Sequence, residues 1–234
     1  MNKDVIIALD FPSAEKAMSF LSAFGSTKPY VKVGMELFYA EGADMVKRLK
    51  DMGHKVFLDL KLHDIPNTVK SAMSVLASIG ADMCNLHASG TRAMMSAALE
   101  GLTIGSGSNQ RPLLIAVTQL TSTNSQQLEE ELLINTPMKD TVISYARNAQ
   151  IAGLDGVVCS PLEAAGIKEA CSQKFLTVTP GIRFEDSSTD DQSRIMTPAK
   201  ARVSGSDFIV VGRPITKAEN PVAAYERCVK DFLL

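Results

Sequence analysis

Three charged side chains within six residues carry the clearest chemical signal in this chain. In Lys55-Val56-Phe57-Leu58-Asp59-Leu60-Lys61-Leu62-His63-Asp64-Ile65-Pro66, one residue separates Asp59 from Lys61, and Asp64 follows three later. A strand alternates its side chains between two faces, so Phe57, Asp59 and Lys61 share one while Val56, Leu58, Leu60 and Leu62 share the other. An all-aliphatic face must be covered, which makes a solvated surface charge pair the poorer explanation. Tyr30-Val31-Lys32-Val33-Gly34 repeats the pattern with Lys32 opposite two valines, and Val5-Ile6-Ile7-Ala8-Leu9-Asp10 ends in a carboxylate. Taken singly, Asp10 could cap a helix and Lys32 could run along a surface. Together Asp10, Lys32, Asp59 and Lys61, with Asp64 beside them, form a row that neutralises itself. It offers ammonium proton donors and negative potential side by side, which suits proton transfer better than metal binding.

The C-terminal third suggests a second chemistry. Thr179-Pro180-Gly181-Ile182-Arg183 and Gly212-Arg213-Pro214-Ile215-Thr216 each follow a strand-like run. Backbone N–H groups and an Arg fork on such loops can hold an anion. One Gly-Arg pair would read as a turn with a surface arginine; two at corresponding places point to a phosphate. Between them Phe184–Lys200 is a long polar insert, open to reading as a lid or as a solvated loop, and Gln192 within it could reach the anion if it closes. Thr118, Thr121 and Ser122 could add hydroxyls. His87 is expected at the pocket wall, His63 on the outward side and His54 exposed; no His or Cys spacing suits zinc. Cys84 and Cys159 lie in apolar runs and read as reduced core residues.

Positioning these residues requires regular strands. Eight short apolar runs recur: Val5–Asp10, Tyr30–Gly34, Lys55–Lys61, Met83–Ala88, Leu113–Gln119, Gly156–Ser160, Phe175–Thr179 and Phe208–Gly212. Helical patterns fall between most of them. Ser13 is placed to cap Ala14–Phe24, Pro66 to open a helix through Val69–Ile79, and Asp140–Ala152 and Pro221–Phe232 carry helical spacing. Gly101–Ser108 is expected to be a helix-to-strand loop. Strands alternating with helices predict a parallel sheet, and eight of them a (β/α)8 TIM barrel spanning residues 1–234 as one domain. Asp10-Phe11-Pro12-Ser13 after the first run is no dinucleotide turn, which disfavours an open doubly wound sheet. The barrel places the ends of its strands at one mouth, where Asp59, Lys61 and the two Arg loops would meet.

Composition narrows the partners. The 234 residues carry 24 Lys+Arg against 26 Asp+Glu, a net charge of −2, with 6% aromatics and no Trp. A near-neutral chain without a basic block is not built for nucleic acid. No apolar stretch reaches the roughly 20 residues of a membrane span, and no leader-like segment opens the sequence. The expectation is a cytoplasmic protein acting on a small molecule.

Asp59-Leu60-Lys61-Leu62-His63-Asp64-Ile65-Pro66-Asn67-Thr68 resembles the DxKxxDIPxT signature of the orotidine 5′-monophosphate decarboxylase family. Ala8-Leu9-Asp10, Lys32-Val33-Gly34, Thr118–Ser122, Thr179–Arg183 and Val211–Ile215 fall in the same order as in that family, whose compact bacterial form is the most similar. The resemblance implies a homodimeric barrel that converts orotidine 5′-monophosphate to UMP and CO2 without metal or cofactor. It further implies Lys61 as proton donor to C6 within a network of Lys32, Asp59, Lys61 and Asp64, the last reaching in from the partner subunit. Asp10 and Lys32, with Asp64 and Thr68 of the neighbour, would hold the ribose. Thr121 would read the pyrimidine edge, and Arg183, Gln192, Gly212 and Arg213 would bind phosphate. Two alternatives remain open: a related magnesium-dependent barrel acting on a sugar phosphate, and a catalytically silent phospho-ligand binder.

Overall fold

The computed structural model describes residues 3–185 and 196–234. Eight parallel strands close into a barrel in sequence order. They are β1 (Asp4–Ala8), β2 (Tyr30–Gly34), β3 (Val56–Leu62), β4 (Met83–His87), β5 (Leu113–Val117), β6 (Gly156–Val158), β7 (Leu176–Thr179) and β8 (Phe208–Val211). β1 closes the ring against β8 with Ile6 opposite Val210. Around it run α1 (Ala14–Ser22), α2 (Met35–Glu41), α3 (Ala43–Asp51), α4 (Pro66–Ser78), α5 (Thr91–Ser106) and α6 (Ser125–Glu130). The ring continues with α7 (Met138–Ile151), α8 (Ala164–Ala170), α9 (Pro198–Val203), α10 (Arg213–Thr216) and α11 (Pro221–Leu233). The expected (β/α)8 barrel is the fold. Ser13 caps α1 through its hydroxyl, and Pro66 occupies the first turn of α4, as their positions imply.

Side-chain alternation divides the core in two. Ile6, Ala8, Tyr30, Phe57, Met83, Ile115, Leu176, Val178, Phe208 and Val210 fill the barrel interior. Their alternating partners, such as Ile7, Val31, Leu58, Cys84 and Ile209, pack outward against the helices. One step further along the inward face come Asp10, Lys32, Asp59 and Asn85, so the apolar plug ends where the charges begin. At the opposite mouth, Asp82, Asp155 and Asp207 precede β4, β6 and β8. Each accepts a backbone N–H from the start of the preceding strand, that of Val56, Leu114 or Thr177, and pairs with a cation: Lys50 at 2.6 Å, Arg111 at 2.7 Å and Lys168 at 2.5 Å. These clasps tie adjacent strands together at the end away from the site.

Two sequence expectations are corrected. Gly101–Ser106 is the last part of α5, not a loop. Gly101 and Gly105 lie one turn apart and face α4, where a Cβ on either would overlap the carbonyl of Lys70 or Ser74. The glycines serve close helix contact rather than chain flexibility. Gly101→Ala therefore tests two opposing effects. Helix propensity alone would favour Ala by about 1 kcal/mol. Overpacking against a rigid backbone opposes it by about 1–3 kcal/mol, so a lowered thermal unfolding midpoint is expected. The second correction is His54, which is buried, its Nδ1 2.9 Å from the Pro29 carbonyl. Burial lowers its pKa, keeping the ring neutral; a histidine that joins the α3–β3 turn to the start of β2 cannot face water.

Candidate active site

The charged row assembles at the C-terminal mouth. Lys32 Nζ lies 3.0 Å from Asp10 Oδ1 and 3.3 Å from Asp59 Oδ2, and Lys61 Nζ lies 2.5 Å from Asp59 Oδ1. Lys32 can bridge because Gly34 stands opposite Asp59 in the β2–β3 ladder, and a Cβ at Gly34 would crowd the ammonium at 3.0 Å. Lys32 and Asp59 are nearly buried, whereas 62% of the Asp10 side chain is exposed. Burial pushes the Asp59 carboxyl towards its neutral form, but Lys32 and Lys61 outweigh that effect and hold its pKa below the ordinary range. The carboxylate stays ionised between two ammonium groups.

Lys61 reaches this position by a route that simple alternation does not describe. β3 and β4 are in register at Leu58 and Cys84, then again at Leu62 and Leu86, so β3 carries extra chain between. Within this irregularity Lys61 adopts a left-handed backbone, φ 51°. Its N–H donates to Asn85 Oδ1 at 2.8 Å, and Asn85 Nδ2 donates to Asp59 Oδ1 at 2.7 Å. Asn85 is a member of the site that sequence reasoning missed. The signal was an amide on the inward parity of a strand otherwise apolar up to its terminal histidine, Met83-Cys84-Asn85-Leu86-His87.

Above the row is a cavity of about 220 Å³. Lys32, Asp59 and Lys61 form one wall, and Gln119, Thr121 and Ser122 of the loop after β5 another. Thr118 faces elsewhere, its hydroxyl donating to the Val158 carbonyl at 3.0 Å. His87 leaves the row and stands against His63, ring centroids 5.8 Å apart. Burial lowers the His87 pKa, with the charges of His63 and Lys61 adding to the effect.

The two arginines flank the β7–β8 side. Burial and the neighbouring charge of Arg213 both lower the Arg183 pKa, so the guanidinium groups lie within electrostatic reach. Two cations within each other's field, with neither paired to a carboxylate among the described residues, favour an anion. Arg213 starts α10 beside Gly212, which in turn approaches Asp10. Ile182 bridges to Met196, and Arg183 N–H donates to the Met196 carbonyl at 3.0 Å, closing the base of the polar insert. Gln192 and the centre of that insert lie outside the described residues. Asp64 and Thr68 are exposed, the first just before α4 and the second in its first turn. Asp64 accepts from the Ile65 N–H at 2.6 Å and has no cationic partner among the described residues.

Fold and site together define a (β/α)8 barrel with a Lys–Asp–Lys row beneath a pocket and an anion-attracting rim. A family model described as "Orotidine 5'-phosphate decarboxylase / HUMPS family" matches residues 3–228. The orotidine 5'-phosphate decarboxylase of Bacillus caldolyticus is 58% identical over 228 residues, covering 97% of this chain and 93% of its own. That of Listeria monocytogenes serotype 4a (strain HCC23) is 55% identical over 232 residues, covering 99% of both. The crystal structure of orotidine 5'-phosphate decarboxylase from Lactobacillus acidophilus is similar over the full length of both chains, with a TM-score of 0.91 at 43% identity. The chain belongs to the orotidine 5'-phosphate decarboxylase / HUMPS family.

Proposed function

We propose that this protein is a cytoplasmic, cofactor-independent decarboxylase that converts orotidine 5′-monophosphate to UMP and CO2, the final step of de novo pyrimidine synthesis. The observation that carries this reading is the continuous Lys32–Asp59–Lys61 ion-pair row beneath the pocket. Its presence in a chain 58% identical to a named decarboxylase strengthens it. When the C6–carboxylate bond breaks, CO2 leaves and the electron pair stays at C6, where the ring offers little resonance help. An ammonium beside C6 stabilises that charge and then delivers its proton; the resulting amine is reprotonated from solvent. Lys61, at the edge of the pocket with its ammonium against Asp59, takes this role, and Asp59 faces the substrate carboxylate.

The remaining residues bind. Asp10 and Lys32 hold ribose hydroxyls, Thr121 reads the pyrimidine edge, and Arg183, Gln192, Gly212 and Arg213 take the phosphate. Phosphate lies far from the reacting bond, so its binding energy is available for closing the site and for the transition state. The protein works as a homodimer in which Asp64 and Thr68 complete the partner's site; their exposure and the lack of a cation beside Asp64 within its own protomer, among the described residues, support this.

A magnesium-dependent sugar-phosphate reaction is the competing chemistry within such barrels. The Asp59 oxygens already receive two ammonium groups and an amide, a surrounding that repels a divalent cation. The test is loss of the orotidylate absorbance on adding the nucleotide to purified protein in excess EDTA. Full turnover is expected. Turnover only after magnesium is restored, or only of a hexulose phosphate, would overturn the proposal.

A further inference from the structure

We infer that Asn85 is a positioning residue for the Lys61–Asp59 pair; this rests on the decarboxylase reading and extends it. Asn85 is 1% exposed and lies on β4 opposite Ile115 of β5. Its amide makes two hydrogen bonds of opposite sense. Oδ1 accepts from the Lys61 N–H at 2.8 Å, while Nδ2 donates to Asp59 Oδ1 at 2.7 Å. That Asp59 oxygen also receives Lys61 Nζ at 2.5 Å. One side chain therefore grips the lysine's backbone and the carboxylate on which its ammonium rests, closing a ring of three residues.

The chain conformation requires such a partner. Lys61 is a non-glycine residue in the left-handed region, which persists only where its surroundings hold it. Where β3 leaves register with β4, the Lys61 N–H has the Asn85 side chain as acceptor in place of a strand carbonyl. An apolar residue here would leave that N–H unpaired in a buried place. A carboxylate would accept from Lys61 but oppose Asp59. Only a group that accepts on one atom and donates on the other meets both demands, and the asparagine amide does so at this reach. Its function is to hold Lys61 Nζ where C6 is presented, since displacement by about 1 Å can cost about 10²-fold in rate.

The test compares orotidine 5′-monophosphate turnover and UMP binding in the wild-type protein, Asn85→Ala and Asn85→Asp, from acid to alkaline pH. Asn85→Ala is expected to lower kcat about 100-fold, with UMP affinity held within about threefold because ribose and phosphate contacts remain. In Asn85→Asp the new carboxyl group faces Asp59 and Lys61 on β3, with Lys32 behind Asp59 on β2 and His87 further along β4; β5 presents uncharged Ile115. Protonated, it copies the amide, with a hydroxyl donor and a carbonyl acceptor. Turnover by this variant should therefore be best at low pH and decline as the carboxyl ionises, an alkaline limb lying at lower pH than that of the wild type. If Asn85→Ala fails to fold, this isosteric variant decides the question. The inference is overturned if Asn85→Ala keeps kcat within about threefold of wild type, if UMP affinity falls in proportion to kcat, or if Asn85→Asp has the wild-type pH profile. Wild-type protein that does not decarboxylate the nucleotide would instead refute the parent reading, and the inference with it.

Discussion

Lys61→Ala is expected to abolish turnover of orotidine 5′-monophosphate while the protein continues to bind UMP. The expected loss in kcat is on the order of 10⁴-fold or more, because one group supplies both the cation that stabilises the carbanion and the proton that quenches it. The variant should fold. Asp59 keeps Lys32 at 3.3 Å and the Asn85 amide at 2.7 Å, so its buried charge is not abandoned. Ribose and phosphate groups are untouched, and calorimetric titration with UMP should give an affinity close to wild type. A variant that retains a tenth of the wild-type kcat would refute the proton-donor role.

Subunit mixing gives the second large effect. Lys61→Ala and Asp64→Ala are each expected to be inactive as homodimers. If Asp64 serves the partner's site, a mixed dimer concentrates both lesions in one site and leaves the other intact. Random exchange makes half the dimers mixed, so about a quarter of wild-type activity should return in a two-fold symmetric dimer. If Asp64 acted within its own chain, every site in the mixed dimer would carry one lesion. No recovery, with exchange verified by native mass spectrometry, would contradict the shared site.

The inward parity of Lys32 and Asp59 was legible because alternation in a strand is a local rule and both are flanked by aliphatic residues. Eight runs of that kind with helices between them made the barrel legible as well. Lys61 was placed correctly beside Asp59, but not for the reason alternation offers, since a break in the β3–β4 register and a left-handed backbone intervene. Register between strands is a tertiary property, and so is the Asn85 contact that accompanies it. Gly101 and Gly105 misled for a related reason: glycine signals either a flexible chain or a close approach, and only the presence of α4 decides which. His54 looked exposed as a polar residue in a turn, yet the Pro29 carbonyl gives it a partner from a distant part of the chain. The placement of the two Arg loops after β7 and β8 followed from barrel geometry, whereas Gln192 lies outside the described residues.

The most direct test of the central claim is the reaction run in D2O with excess EDTA and the product examined by NMR. Decarboxylation with proton delivery from an exchangeable ammonium predicts CO2 release and UMP carrying one deuterium at C6. UMP carrying protium at C6, delivered from a source that does not exchange with D2O, or no UMP until a divalent metal is added, would contradict it.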